Sequence, residues 1–345
     1  HSDHRRQRQM CIRDSPWIDN PEKLPDNYRA AAATLRRLEQ SLMRDPEWAL
    51  SFAEQIDDMV QRGVARKLNP EELSSWKGPK HYLSQLAVHN PDSASTPIRI
   101  VFDSSRAHSG ISLNSCLAKG PDSYANSMLG ILLRWREFQT AMVGDIKKMF
   151  HSIHLRPLEQ HCHRFLWRGM DTTKDPDVYI ITRVNMGDRP SAAIATEALR
   201  SSGERMREEF PRAAELVVDN SYMDDLIDSV DGPKEDARKL ACDTEKGLKP
   251  HNFTIKCWQF SGDEHTVGAD ATEPAVKLLK GSDGVTGTLG VQWRSGEDAI
   301  TFKVKLNFSP KKRGNRTEPD LTPEQIPSHL PGVTTRRIVL EQVMA

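Results

Sequence analysis

The chain has 345 residues, and its 48 Lys and Arg balance its 48 Asp and Glu, so the formal net charge is zero. Net charge therefore gives no argument for a nucleic-acid or membrane partner, and any such argument has to come from local charge. The length allows one large domain or two to three subdomains. Apolar residues make up 37% of the chain, which is low for a compact globular protein.

The chain has five cysteines, an odd number, and no two of them form a C-x-x-C motif. This usage argues against a disulfide framework or a zinc knuckle and favours a reducing compartment. No apolar run approaches the roughly 20 residues of a membrane span, and the sequence has no signal-peptide pattern. We therefore expect a cytoplasmic protein with no membrane partner.

The two ends of the sequence differ from the rest. Residues 1–15, HSDHRRQRQMCIRDS, have no hydrophobic periodicity, and MCIRDS is typical of a translated sequencing adapter. We treat these residues as a cloning artefact and exclude them from the fold prediction. The other end, TTRRIVLEQVMA, stops inside a helical pattern without a cap. We therefore expect a fragment of a longer chain.

Two helices are predicted first along the chain. Apolar positions keep helical spacing from Tyr28 to Leu42. Asp45 then provides an N-cap in front of a proline, and Gly63 ends the second helix. This second helix carries apolar residues four positions apart: Trp48, Phe52, Ile56 and Val60.

Strands and helices alternate in the rest of the chain. Strands are predicted at 81–88, 98–103, from 141 to a turn at Asp145, 178–185, 253–258, 288–293 and 299–308. Helices are predicted at 189–210, around 213–218 and from Pro233 onward. The order strand, helix, hairpin, helix, strand after residue 141 predicts an α+β fold, an antiparallel sheet with helices packed on one face.

Two adjacent aspartates, Asp224 and Asp225, lie in the strand-like stretch NSYMDDLIDSV. Asp is depleted in strands, and neighbouring carboxylates repel each other unless a cation compensates them. A solvated turn would explain an isolated pair equally well. Asp145, a third carboxylate at the end of an apolar strand, favours a metal site instead. Three acidic groups on adjacent strands suit two Mg²⁺ ions about 4 Å apart, the arrangement for in-line displacement at phosphorus.

The two metal-binding motifs of reverse transcriptases resemble VGDIKKMFHSIHL and SYMDDLIDSV in this chain. The polymerase of BEL/Pao-type retrotransposons resembles IRIVFDSSRAHSGISLNSCLAKGPD, YIITRVNMGDRPSAAIATEALR and ITFKVKLNFSPKKRG. The resemblance runs from about Glu47 to the C terminus. It implies a right-hand polymerase fold, with fingers at 45–140 and a palm at 141–260. An N-terminal helical segment at 16–44 would precede them, and 261–345 would hold primer-grip strands, a basic loop and a truncated thumb.

The resemblance also implies roles for residues. Asp145 and Asp224 would be the main metal ligands, joined by Asp225 and the carbonyl of Ile146, for two Mg²⁺ ions that Mn²⁺ can replace. Nucleotide-binding residues would be Arg99 at the triphosphate, Phe150 under the sugar, Gly187, Ser191, Tyr222, Met223, and Lys256 as general acid for pyrophosphate. On spacing alone, Phe150 also fits a core position and Arg99 a solvated strand position.

Primer and template contacts are expected near the C terminus. The stretch TLGV resembles the primer grip and includes Leu289 and Gly290. A basic strip without acidic residues follows: Lys303, Lys305, Lys311, Lys312 and Arg313. Such a strip tracks phosphates, although charge runs are usually solvated faces. The histidines of HSIH and HCH (His151, His154, His161 and His163) lack zinc-site spacing and are predicted to be surface or packing residues.

Two features depart from other reverse transcriptases. Met186 stands before Gly187, where many have Gln, and the loop at 89–97 contains no lysine for the triphosphate. The prediction remains an RNA-directed DNA polymerase that extends a DNA or tRNA-type primer with dNTPs on an RNA or DNA template. It would act within retroelement particles, beside the protease, ribonuclease H and integrase of the same polyprotein. The alternatives are a non-catalytic retroelement remnant and another palm enzyme, such as a nucleotidyl cyclase.

Overall fold

Helices alternate with short antiparallel strands in the computed structural model, which describes residues 15–89, 98–120, 126–263, 286–288 and 291–302. The helices are α1 Tyr28–Leu42, α2 Pro46–Gln61, α3 Pro70–Ser75, α4 Met128–Trp135, α5 Pro157–Cys162, α6 Ser191–Met206, α7 Pro211–Asp219 and α8 Lys234–Leu248. The strands are β1 Ala65–Lys67, β2 Ser84–His89, β3 Ile98–Asp103, β4 Thr140–Ile146, β5 Arg164–Trp167, β6 Asp177–Ile181, β7 Ser221–Tyr222, β8 Asp225–Val230, β9 Ile255–Phe260, β10 Thr286–Thr288, β11 Val291–Arg294 and β12 Ala299–Phe302.

The first two helices form where local signals predict them. The side chain of Asp45 accepts hydrogen bonds from the backbone N–H groups of Glu47 and Trp48, which caps α2. Gly63 follows α2 with a φ of 66°, a left-handed conformation that favours glycine. Val60 is 38% exposed and Met59 is buried instead. A four-residue spacing drifts off one helix face because the helical period is 3.6 residues.

The first core lies between α1, α2 and the sheet β1-β6-β5. Its sheet joins distant parts of the chain, since Ala65 of β1 pairs with Ile181 of β6. The two-stranded ribbon β2–β3 packs on the same core through Ile98 and Phe102. The segment 157–181 thus returns to a core formed by residues before 120. The predicted division into fingers and palm at residue 140 stays a prediction. Residues after 140 nevertheless contribute to the first core as well as to the second.

The second core lies under the four-stranded antiparallel sheet β7-β8-β4-β9. Helices α6, α7 and α8 pack on one face of this sheet, against Met142, Ile146 and Leu226 among others. Residue 144 also lies on this face, and it is a glycine because a Cβ there would come within 2.5 Å of the Trp258 ring. The predicted α+β architecture, with helices on one face of an antiparallel sheet, is therefore confirmed.

The opposite face of this sheet carries a smaller apolar cluster. Val143 and Ile227 pack there with Trp135 of α4 and Trp293 of β11, whose rings lie 5.1 Å apart. Side chains alternate between the faces of a strand, so Asp145, two residues after Val143, shares this second face. The face that carries Asp145 is thus not the one covered by α6–α8.

Some elements differ from the sequence prediction. The predicted strand at 288–293 is two strands, because Thr288 of β10 pairs antiparallel with Val291 of β11. The prediction missed the short elements α3, α4, α5, β1 and β5, whose few residues give little periodic signal. The described residues as far as Thr301 belong to one compact unit. Among the described helices, none is both long and apolar enough to cross a bilayer.

Candidate active site

A tight hairpin presents the aspartate pair. Tyr222 of β7 pairs with Asp225 of β8, which leaves Met223 and Asp224 as the two-residue turn. Met223 has a φ of 55°, a conformation that is uncommon for residues with a side chain. The backbone N–H of Ile146 donates to the carbonyl oxygen of Asp224 at 2.7 Å. The hairpin tip is thereby attached to the end of β4.

Asp145 and Asp225 face each other across neighbouring strands. They are direct partners in the antiparallel register of β4 and β8, so their side chains lie on the same face of the sheet. The register of β4 against β9 shifts between Asp145 and Ile146, a bulge of the kind that often lies beside active sites. Asp225 is half-buried and Asp224, at the tip, is exposed. Asp145, Asp224 and Asp225 therefore occupy neighbouring backbone positions where β4 ends and β8 begins.

The cluster has three carboxylates and a neighbouring lysine, Lys256. Burial, followed by the charges of Asp224 and Asp145, raises the pKa of Asp225 to about 7. The pKa of Asp224 is also raised, mainly by partial desolvation, with the charge of Asp145 adding to it. Lys256 Nζ donates to Asp145 Oδ2 at 2.9 Å. Desolvation lowers the pKa of Lys256, but this hydrogen bond and the charge of Asp145 outweigh it, and the net shift is upward.

The donor set can be compared with the needs of a metal ion. No group of three or more His, Cys, Asp or Glu side chains among the described residues converges closely enough to hold a metal. The chemistry of the donors nevertheless suits Mg²⁺, which prefers carboxylate and carbonyl oxygens. Besides burial, the charges of Asp224 and Asp145 raise the pKa of Asp225, so the cluster has negative charge that a divalent cation would compensate.

The predicted nucleotide-binding residues fall in two places. Tyr222, Met223 and Lys256 lie on the hairpin and on β9, beside the three aspartates. Phe150 is half-buried in a 3-10 helix, Met149–Ser152, and packs against the second core. It follows β4 closely, but its packing is compatible with a purely structural position.

The second group lies around β3 and the start of α6. Arg99 is exposed on β3, opposite Val88. A Cβ on Gly187 would come within 2.6 Å of the Phe102 carbonyl oxygen, also on β3. Ser191 is buried at the start of α6 and donates its hydroxyl to the carbonyl oxygen of Asn185. The loop that carries Gly187 therefore packs on the strand that carries Arg99.

The residues that the sequence predicts to contact primer and template cannot be placed in this site. Leu289, Gly290, Lys303, Lys305, Lys311, Lys312 and Arg313 lie outside the described residues. Of the four histidines, His161 is buried and stacks on Trp76 at 3.7 Å. His163 is also fully buried, in an ion pair with Asp188. The sequence prediction missed this pair, because an Asp shortly before a helix is ordinarily a helix cap.

Comparisons with known proteins give fold relatives. Neither a protein-family model nor a curated protein matches the sequence. A foamy viral protease-reverse transcriptase in complex with RNA/DNA hybrid matches with a TM-score of 0.50 and 16% identity, over 85% of this chain and 30% of that chain. The foamy viral protease-reverse transcriptase dRH in complex with double-stranded DNA gives a TM-score of 0.46 and 17% identity, over 70% and 33% of the two chains.

The antiparallel sheet with its helix layer is thus a polymerase palm fold. More specifically, the fold is reverse-transcriptase-like. The chain spans only 30% of the solved chain that carries this conclusion, and at 16% identity the likeness concerns the fold alone.

Proposed function

We propose that the chain is the polymerase part of a BEL/Pao-type retrotransposon polyprotein, an RNA-directed DNA polymerase that adds dNTPs to a primer 3′-OH. The observation that carries this proposal is the position of Asp145 directly opposite Asp225, with Asp224 at the adjoining hairpin tip. A structural sheet gains nothing from two carboxylates facing each other, since directly opposed like charges are destabilising.

In this proposal, Asp145, Asp224 and Asp225, with the carbonyl of Ile146, hold two Mg²⁺ ions. When bound, the ions stabilise charge at the transferred phosphoryl group and acidify the attacking 3′-OH. Lys256 Nζ keeps Asp145 in place through its hydrogen bond and carries a proton that it can give to the leaving pyrophosphate. The sheet face with these residues is not the one covered by α6–α8, and in this proposal the primer and template approach from that side.

The remaining predicted contacts complete the proposal. Arg99 would bind the triphosphate, since a guanidinium pairs with phosphate oxygens in a bidentate way. Phe150, Tyr222 and Met223 would line the sugar and base, and Gly187 and Ser191 would border the nucleotide. The template would be RNA or DNA, the primer DNA or a tRNA-type primer, and the partners the protease, ribonuclease H and integrase of the same polyprotein.

Asp224→Asn tests the proposal, because it keeps the side-chain shape and removes the charge. Wild type should extend oligo(dT) on poly(rA) with dTTP and Mg²⁺, and Asp224→Asn should lower the rate about 100-fold or more. Its thermal melting should stay close to wild type because Asp224 is exposed. The readout is product length on a denaturing gel over time.

Asp231→Asn is the matched control. Asp231 is exposed just beyond the other end of β8, so the same charge change there should leave extension intact. A folded wild-type protein that binds duplex but extends no primer would favour the non-catalytic remnant. Template-independent formation of a cyclic nucleotide from ATP or GTP would favour a cyclase.

A further inference from the structure

The loop between β6 and α6 turns two residues outward and one inward. Met186 is 73% exposed and Gly187 is also exposed, whereas Asp188 is buried. A buried carboxylate is costly unless it is paired and hydrogen-bonded. The partners of Asp188 therefore determine how this loop is held.

Asp188 is bound by a residue of its own loop and by two distant segments. Its Oδ1 accepts from Ser104 Oγ at 2.6 Å and from Asn185 Nδ2 at 2.9 Å. Its Oδ2 lies 2.8 Å from His163 Nε2. Ser104 directly follows β3, and His163 lies between α5 and β5. One buried carboxylate thus connects the β2–β3 ribbon, the α5–β5 junction and the loop before α6.

The hydrogen bonds of His163 define its charge. Nδ1 lies 2.6 Å from the carbonyl oxygen of Glu159, which can only accept, so Nδ1 carries a proton. Nε2 faces a carboxylate that already accepts two other hydrogen bonds. Desolvation lowers the pKa of His163, but the charge of Asp188 and the hydrogen bond to it together outweigh this effect, so the net shift of the pKa is upward. The pKa of Asp188 is lowered, despite burial, chiefly by the charge of His163, so these contacts favour an imidazolium paired with a carboxylate.

The side chain of Asn114 forms two hydrogen bonds with the backbone of the same loop. Its Nδ2 donates to the Gly187 carbonyl oxygen at 3.0 Å, and its Oδ1 accepts from the Arg189 N–H at 2.7 Å. The backbone on both sides of Asp188 is therefore fixed, while Gly187 lies against the Phe102 carbonyl oxygen. The backbone of Gly187 is therefore held between Asn114 and β3.

We propose that the His163–Asp188 ion pair is a positioning pair, which holds Gly187 and Ser191 in the geometry in which they border the incoming nucleotide. This inference rests on the proposed polymerase function. A buried ion pair stabilises a fold no better than well-packed apolar residues do, but it can specify a single arrangement. Here the arrangement that it specifies joins the strand of Arg99 to the loop of Gly187.

Asp188→Ala removes the acceptor at the centre of the network. We expect the KM for dNTP in primer extension to rise about tenfold or more, with kcat within about threefold of wild type, because the loop loses its position while the aspartate cluster is untouched. Glu39→Ala is the matched control. Glu39 is 1% exposed at its side chain and forms an ion pair with Arg168 in the first core. Its loss should lower the melting temperature and leave the KM unchanged.

Asp188→Asn should restore most of the function. The amide oxygen can accept from Ser104 and Asn185, and the amide N–H can donate to a neutral His163 ring, so the KM should stay within about threefold of wild type. A purely structural pair would make Asp188→Ala behave like Glu39→Ala, with lower stability and an unchanged KM. That result would overturn the proposal. If Asp188→Ala does not fold, Ser104→Ala, which removes one donor, should raise the KM by a smaller factor, and an unchanged KM would again overturn it.

Hydrogen–deuterium exchange separates this proposal from the proposed function. In Asp188→Ala, amides of residues 185–191 should exchange faster than in wild type, and in Glu39→Ala they should not. If wild type extends no primer, the polymerase function fails, but this exchange measurement still tests whether Asp188 positions the loop. Equal exchange of the loop in both variants would remove the positioning role.

Discussion

At the hairpin tip, the strained residue Met223 directly precedes Asp224 and Asp225, and Asp225 pairs with Asp145 of β4. Met223 holds a left-handed φ of 55°, which costs energy for a residue with a side chain and persists only where the surroundings impose it. Here the strand register on one side and the Ile146–Asp224 hydrogen bond on the other impose it. The strained turn places Asp224 next to Asp225 without lengthening the hairpin.

Phe150 offers a test of nucleotide selection at the residue scale. Phe150→Val should open space under the sugar and raise the ratio of rNTP to dNTP incorporation by about tenfold or more, since one pocket contact is worth that order of discrimination. Dependence on Mg²⁺ should not change. Competition between labelled rNTP and dNTP in primer extension measures the ratio.

Phe253→Val is the control for Phe150→Val. Phe253 is 1% exposed and belongs to the same core cluster, so it should lose stability but keep sugar discrimination. Unchanged discrimination in Phe150→Val would mean that Phe150 is an ordinary core residue.

Among the elements, the short ones depend on contacts between segments. After α3, the Trp76 ring stacks on His161 of α5, with 3.7 Å between the ring centroids. Arg164 of β5 donates to His161 Nδ1 through Nη2 at 2.8 Å. Elements of four to six residues do not hold their conformation alone. Side-chain contacts of this kind therefore fix α3, α5 and β5 on the first core.

The charge state of His161 predicts acid sensitivity of this junction. Burial, followed by the charge of Arg164, lowers the pKa of His161 to about 4, against a usual value of 6.5. Between these two values the unfolded chain binds more protons than the folded one, so the free energy of unfolding falls as the pH falls from 6.5 to 4. His161→Gln should therefore show a smaller loss of stability over this pH range than wild type. Urea unfolding at pH 7 and pH 4.5 measures it.

His108→Gln serves as the control for the pH experiment. His108 lies half-buried on the loop after β3, and its substitution should leave the wild-type pH dependence in place. An identical pH dependence in His161→Gln and wild type would show that His161 takes up its proton equally in the folded and unfolded states.

For the whole molecule, binding of nucleic acid depends on local charge, whereas the fold depends on contacts between residues far apart in the sequence. The zero formal net charge means that any attraction to nucleic acid is local, and the basic residues Lys311, Lys312 and Arg313 are the proposed source. The fold, in contrast, is joined by long-range contacts. Ser104 and Asp188 connect the β2–β3 ribbon to the start of α6 across 84 residues of sequence.

The basic strip predicts a salt effect. The triple variant Lys311→Ala, Lys312→Ala, Arg313→Ala should weaken primer–template binding and reduce the slope of log K against log salt by roughly 0.9 for each phosphate that the variant no longer neutralises. Fluorescence anisotropy of a labelled duplex at several salt concentrations measures both quantities.

A charge-matched triple variant controls for net charge. Lys23, Lys174 and Lys246 each form an exposed ion pair with a nearby aspartate. Their replacement by alanine removes the same total charge and should leave the salt slope close to that of wild type. Equal slopes for the two triple variants would assign the binding to overall charge rather than to the strip.

Several elements follow from the sequence because their signals are local. Helix α1 begins and ends at the predicted residues, strand β3 has the predicted bounds, and Asp45 caps α2. Periodicity, caps and turns act between residues a few positions apart, so a single sequence contains them. The same reasoning located the hairpin of Asp224 and Asp225, and Asp145 at the end of its strand.

Tertiary structure alone decided the rest. The pairing of β1 with β6, the face of the sheet that carries Asp145, and the buried His163–Asp188 pair are not readable from neighbouring residues. Asp188 looks like a polar loop residue in the sequence, yet it is buried because segments 25 and 84 residues away supply its partners. Register and buried charge are fixed by which segments pack together, since a carboxylate enters a core only where its partners already lie.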